Sequence, residues 1–296
     1  MGKRQINLDA YSRTVQQLWQ MMNPCVLCPR NCRVNRSGGK IGFCGIPDMP
    51  IVSSIGPHFG EETVLVGQGG SGTIFFAGCN LGCVFCQNYD ISHLRHGQEV
   101  TIEELAGFML DLQNYGCINI NFVTPTHVAP AIAAGIDIAR KKGLNLPTVY
   151  NSGGYDSVET LKLLDGYMDI YMPDMKYSDD TAAKELSGAS DYPKVNFAAV
   201  KEMHRQVGDL QLNENGLAKR GLLVRHLVLP NGLAGSFKII DFLAEQVSRS
   251  TAINIMDQYR PCYKASSHNS INRIPTPDEI EQVRQYTLKK GLHPVR

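Results

Sequence analysis

At 296 residues, with 43% hydrophobic and 19% charged residues, the chain can bury a sizeable core, as one large barrel or two modest domains. Its 29 Lys and Arg against 28 Asp and Glu leave a formal charge of +1, which gives no electrostatic case for nucleic acid or an anionic membrane. The opening "MGKRQINLDAYSRTVQQLWQMMNPC" lacks the apolar core of a signal peptide, and no later run reaches the roughly 18 apolar residues of a membrane span, so a cytoplasmic chain is expected.

In chain order, the spacing predicts an N-terminal helix over roughly 9–22, with Leu18 and Met22 on one i, i+4 face. A Cys-, Gly- and Pro-rich stretch follows to residue 72 with little periodicity, and it reads as a loop-rich segment held by ligands. From residue 73 onward six apolar runs, "GTIFFAG", "CININFV", "PTVYN", "DIYM", "GLLVRHLVLP" and "AINIMD", are separated by stretches with helical spacing. Continuous apolar strands alternating with amphipathic helices argue for a parallel sheet covered by helices. Six units fit a partial (β/α)6 barrel better than an eight-stranded one of about 250 residues, with a doubly wound open sheet as the alternative. A last helix, about 277–290, has Thr276 as N-cap, Pro277 at its first position and Glu279 to close a capping box. The division expected is 1–72, helix and cysteine segment, and 73–296, core and C-terminal helix.

In such a barrel the reactive groups gather where the strands end. The first strand runs into Cys79, Cys83 and Cys86, the second into Thr124, Pro125, Thr126 and His127, the third into Asn151, Ser152 and Gly153. The fourth ends at Asp174 and Lys176, the fifth at Pro230 and Asn231, the sixth at Asp257, Gln258 and Tyr259. All six ends are polar and would face one mouth.

Seven of the nine cysteines fall in two tight groups, which in a reducing compartment points to ligands rather than disulfides. Four thiolates saturate a cubane iron-sulfur cluster, so the three of "CNLGCVFC" leave one iron open. An open zinc site is the competitor; ligand type and spacing favour the cluster. Cys25, Cys28, Cys32 and Cys44 form a separate four-thiolate array, which suits a structural zinc or an auxiliary cluster equally.

"CNLGCVFC" resembles the CxxxCxxC signature of the radical S-adenosylmethionine superfamily, with Phe85 before the last cysteine as in many members. The resemblance implies a [4Fe-4S] cluster whose open iron chelates S-adenosylmethionine, and a 5'-deoxyadenosyl radical that abstracts hydrogen from a substrate. From about residue 73 to 262 the chain is similar to the pyruvate formate-lyase activating enzymes. "YMPDMKY" resembles their Asp-x-Lys segment, and "LLVRHLVLPNG" their Arg-xxxx-Pro-Gly segment. By that match Asp174 and Lys176 lie near the methionyl carboxylate or, with Asn151 and Met172, around a cation, and Arg225 lies near the cofactor or the catalytic cavity. Phe85, Ser152, His127 and Pro230 join the cofactor side. "VTPTH" stands where the group carries a Gly-Gly-Glu-type segment, leaving Thr124 and Thr126 as acceptors, and Asn231 interrupts the usual Pro-Gly. With "CPRNCRVNR", the whole chain resembles an activase-like subfamily that carries the N-terminal cysteine motif. An oxidoreductase fed by flavodoxin or ferredoxin and acting on a protein substrate is implied. Chemistry on a small metabolite or peptide is the rival, and a non-enzymatic metal or cluster carrier the third reading.

Weaker candidates are His58, Glu61 and Glu62 as acid-base groups at the mouth, and Cys262 near substrate; Cys117 reads as core.

Overall fold

The computed structural model describes residues 7–295. α1 (Arg13–Gln20) starts where the Ser12 side chain accepts the Val15 N–H, and it buries Val15, Leu18 and Trp19. Burying such side chains is worth roughly 1.5–3 kcal/mol each, so this short helix is held by its apolar face. β1 (Ile51–His58) runs antiparallel to β2 (Ser71–Phe76), with α2 (Thr63–Val66) between them in the chain. After the cysteine loop come α3 (Tyr89–Ser92) and β3 (Gln98–Glu99), which pairs antiparallel with β1. Then α4 (Ile102–Tyr115), β4 (Ile120–Val123), α5 (Ala129–Lys141), β5 (Thr148–Ser152), α6 (Val158–Leu163) and β6 (Ile170–Pro173) alternate. Two helices, α7 (Asp180–Ser187) and α8 (Tyr192–Val207), and the short β7 (Gln211–Leu212) precede β8 (Ala218–Leu227). α9 (Ser236–Gln246), β9 (Ala252–Met256), α10 (Pro277–Lys289) and β10 (His293–Pro294) follow.

Across the sheet the order is β3-β1-β2-β4-β5-β6-β8-β9-β10, with β7 on the side of β8. Every pairing along that path from β2 to β10 is parallel. The six expected strands are β2, β4, β5, β6, β8 and β9, and because β3 and β10 end the order unpaired with each other, the barrel is partial and open. The connection from β1 to α2 crosses the open side: Asn254 on β9 donates to Glu62 Oε1 at 3.0 Å. Leu65 of α2 packs with Val149, Ile170, Leu223 and Ala252 as an apolar plug inside the strands. The main core lies between the outer face of the sheet and its helices, and Leu18, Trp19, Cys25 and Cys44 of the N-terminal segment belong to it. The boundary read at 72/73 falls inside β2.

α10 is capped as expected, with Thr276 accepting the Glu279 N–H and Glu279 reaching back to the Thr276 N–H. α1 is shorter than its sequence pattern. β1 carries no clean alternation, because a bulge between Val52 and Ser54 and the Gly56-Pro57 pair break it. Among the described residues no helix is long and apolar enough to cross a membrane.

Candidate active site

The loop after β2 carries Cys79, Cys83 and Cys86, and it is held from both sides. Gly82 N–H donates to Ser187 O at 3.0 Å and Val84 N–H to Leu186 O at 2.9 Å, so the end of α7 backs the loop. Lys264 N–H reaches Val84 O at 2.8 Å from the segment after β9. Phe85 is buried edge-on against Tyr259, 5.7 Å between ring centres. Gly78 has φ +80, and a Cβ there would lie 2.6 Å from the Cys44 carbonyl oxygen, so only glycine allows the N-terminal segment this close. Arg30, between Cys28 and Cys32, donates to Asn80 O at 2.8 Å, to Ser187 O at 3.3 Å and to Gly188 O.

Each of the three sulfurs has a hydrogen-bond partner. Cys79 Sγ accepts Leu81 N–H at 3.3 Å, Cys83 Sγ accepts the Ser187 hydroxyl at 2.9 Å, and Cys86 Sγ stands 3.1 Å from Ser92 Oγ. Burial pushes the Cys79 thiol up to about 12, with Cys83 and Cys86 adding to the shift and Lys176 opposing it. Burial raises the Cys83 thiol as well, and neighbouring thiols that resist ionisation alone suit a cationic centre that shares their charge. Among the described residues no three His, Cys, Asp or Glu side chains already stand in the arrangement that holds a single metal ion.

Beside this loop the strand ends build a charged network. Asp174 accepts from Arg225 Nε at 2.9 Å through one oxygen and from Lys176 Nζ at 2.6 Å through the other. Arg225 also donates to Asn151 Oδ1 at 2.8 Å and lies 3.7 Å from Glu61 Oε2. Burial opposes ionisation of Asp174, but Arg225 and Lys176 outweigh it and hold its carboxyl below the usual range. Burial raises the Glu61 pKa, to about 7, with Glu62 adding to the shift and Arg225 opposing it. Asn151 and Met172 are register partners across β5 and β6, with the Met172 side chain in the plug below.

The remaining expected residues take other places. Thr126 and Ser152 each donate to Asp156 at 2.7 Å, as Tyr150 does at 3.0 Å. Burial raises the pKa of Asp156 against these three donors. His127 Nε2 contacts Ala77 O at 2.8 Å, and burial, aided by Arg36, pushes its pKa down to about 3, so the neutral ring donates there and braces the chain before Cys79. Thr124 has φ 62, a conformation that costs a β-branched residue on the order of 1–3 kcal/mol, and its N–H donates to Asn151 O. Pro230 opens the turn after β8, and Asn231 holds φ 62 where the activating enzymes place glycine; asparagine is the side chain that best tolerates that region. Asp257 pairs with Arg284 at 2.6 Å. Glu61 and Glu62 do enter the strand interior, while His58 packs on Phe75. Cys117 is buried, and half-buried Cys262 lies in the segment after β9.

Sequence reasoning passed over Ser187 and Asp156. For Ser187 a signal existed: Asp179 as N-cap and Gly188 after the last turn delimit α7.

An open parallel barrel carries three cysteines, Cys83 buried and Cys79 and Cys86 half-buried, at its first strand end and a charged network at the others, a donor set that suits a cluster with one open position. A model of the Radical SAM superfamily matches residues 73–215. The chain is 35% identical over 278 residues to the protein MJ0674 of Methanocaldococcus jannaschii, covering 90% of this chain and 75% of that one. To MJ0808 of the same organism it is 26% identical over 300 residues, covering 90% and 78%. The structure of a radical SAM methyltransferase from Sphaerobacter thermophilus shares the fold, with a TM-score of 0.52 at 15% identity over 75% of this chain; the chain spans 65% of that one, just under two thirds. The chain belongs to the radical SAM superfamily. Membership implies a [4Fe-4S] cluster and S-adenosylmethionine, and the donor set of the cysteine loop fits them.

Proposed function

We propose that the protein is a radical SAM oxidoreductase of the activating-enzyme kind that abstracts hydrogen from a protein substrate. The observation that carries the chemistry is the convergence of Cys79, Cys83 and Cys86 with the Asp174, Lys176, Arg225 and Asn151 network at one end of the strands. When bound, the cluster and S-adenosylmethionine supply a one-electron reductive cleavage to a 5'-deoxyadenosyl radical. Cys79, Cys83 and Cys86 would hold the cluster, one thiolate short of saturating it. Lys176 and Arg225 offer positive charge to the methionyl carboxylate, and the strained Thr124 turn offers acceptors to its amine. Phe85 and Tyr259 exclude water behind the loop.

A protein partner is supported by exposed apolar side chains on the segments flanking the cysteine loop: Ile41, Phe43, Tyr89 and Leu94. Cationic Arg30 lies over the Phe43 ring at 3.8 Å, and Lys264 near the Tyr263 ring at 5.1 Å. Such a rim also suits an acidic one-electron donor, flavodoxin or ferredoxin, in the cytoplasm. The second reading, a small metabolite or peptide, is favoured by half-buried Glu61 and buried Glu62, whose carboxylates offer acceptors to a polar group inside the barrel. Cys25, Cys28, Cys32 and Cys44 form a second metal site in this account, zinc or iron-sulfur.

The test is anaerobic 5'-deoxyadenosine formation by the reduced, reconstituted protein, with macromolecular and small-molecule fractions of its host's extract added separately. Stimulation by the macromolecular fraction is the expected result. Stimulation confined to the small-molecule fraction would replace the protein substrate with a metabolite.

A further inference from the structure

Arg36 is the largest of the fully buried side chains, 1% exposed, and it lies in the N-terminal segment rather than at the barrel mouth. Its Nε donates to Ile46 O at 3.1 Å and to Pro47 O at 2.8 Å, while Nη2 has no hydrogen-bond partner. Among the described residues no carboxylate pairs with it. A buried charge without a counter-charge is expensive, by several kcal/mol even after relaxation, and folds keep such groups only where something balances them. The nearby imidazole of His127 carries no negative charge to offer.

Beside Arg36 lies Cys44, one of the four cysteines of the N-terminal array. Cys44 Sγ lies 3.9 Å from the same Ile46 carbonyl that receives Arg36 Nε, so thiol and guanidinium sit on one backbone group. The Arg36 N–H is bonded to Met22 O at 3.0 Å, and the Cys25 N–H to Val34 O at 2.9 Å, which folds 22–36 into a hairpin with Arg36 at its base. Cys32 Sγ accepts the Phe43 N–H at 3.3 Å, and a Cβ at Gly42 would stand 2.9 Å from that sulfur. Backbone is thus brought onto the sulfur as a donor, an arrangement suited to a metal-bound thiolate.

We propose that Arg36 is the internal counter-cation of an anionic metal centre held by Cys25, Cys28, Cys32 and Cys44. Four thiolates around a divalent ion, or around a cubane cluster, leave excess negative charge, and Arg36 supplies buried positive charge against it. The inference rests on reading these cysteines as a metal site. Arg36 touches no substrate; it is a positioning residue for the metal.

The test uses the full chain with Cys79, Cys83 and Cys86 replaced by Ala, so that only the N-terminal array binds, and zinc(II) as the probe in competition with a chromophoric chelator. Arg36→Gln and Arg36→Lys both lose the Nε bonds to Ile46 O and Pro47 O, but only the first loses the charge. The expected result is zinc binding weakened about 10- to 100-fold by Arg36→Gln and clearly less by Arg36→Lys. Thermal unfolding supplies a second readout: Arg36→Gln lowers the midpoint of the zinc-loaded chain and raises that of the metal-free chain, a reversal that a packing role does not produce. Equal weakening by the two variants, or none by Arg36→Gln, would overturn the counter-cation. Failure of the parent chain to hold zinc would instead remove the metal site on which it rests.

Discussion

Arg225 meets three partners at once, Asp174, Asn151 and Glu61, and its planar fork is what makes that possible. Replacing it by Met leaves Asp174 with Lys176 alone and Glu61 with no cation, so a loss on the order of 3 kcal/mol is expected in denaturant unfolding. Arg225→Lys restores charge without the fork and should recover part of that loss; a Met variant as stable as the parent would show the network to be ornamental. Asn231 allows a second comparison. Its αL conformation costs an ordinary residue about 1–2 kcal/mol, and its side chain bonds Ser270 O and Arg273. Asn231→Ala should therefore destabilise by more than Asn231→Gly, and the reverse order would contradict the backbone argument. In sequence Asn231 looked like a departure from Pro-Gly; its φ of 62 shows a left-handed position filled by the residue that, after glycine, best tolerates it. The roles of Thr126, Ser152 and His127 were not legible, because a strand-end position does not reveal that Asp156 or Ala77 O lies within reach.

Among the elements, the parallel strands were legible because they are continuous apolar runs, and α10 because its cap residues stand at fixed offsets. β1 was not, since its bulge and Gly56-Pro57 erase the alternation. α7 was hidden by its polar first turn, "DDTAAKELSG", although its caps were present. Its last residue, Ser187, is the one that bonds Cys83. One prediction belongs to the junction of β8 with α9. His226 contacts Met175 O at 2.6 Å through Nδ1 and Ser236 Oγ at 2.8 Å through Nε2. Burial pushes its pKa down from 6.5 to about 4, against the Met175 carbonyl. The folded chain therefore refuses a proton that the unfolded chain takes up, and this contribution to stability is complete above about 6.5 and is lost as the pH falls towards 4. Glu61, with its pKa raised, works in the opposite direction between its ordinary 4.5 and about 7. Subtracting the melting profile of His226→Asn from that of the parent isolates the histidine: the variant's midpoint should fall less steeply between pH 6.5 and 4. Parallel profiles would show that His226 is not held neutral.

For the whole molecule, the N-terminal segment is a brace on the cysteine loop after β2. Arg30 reaches Asn80 and Ser187, and the Cys44 carbonyl presses on Gly78, so the two cysteine groups are built into one another. The clustering of the cysteines was visible in the sequence; their adjacency was not, because it depends on contacts between residues about 35 to 160 positions apart. The open barrel itself is finished by Glu62 and Asn254 across its seam, a contact that no local pattern announces. The central claim is that Cys79, Cys83 and Cys86 hold a cluster that cleaves S-adenosylmethionine. Its most direct test is anaerobic 5'-deoxyadenosine formation by the reconstituted, dithionite-reduced chain beside Cys83→Ala. The account predicts product from the parent and none from the variant, and equal product from both would contradict it.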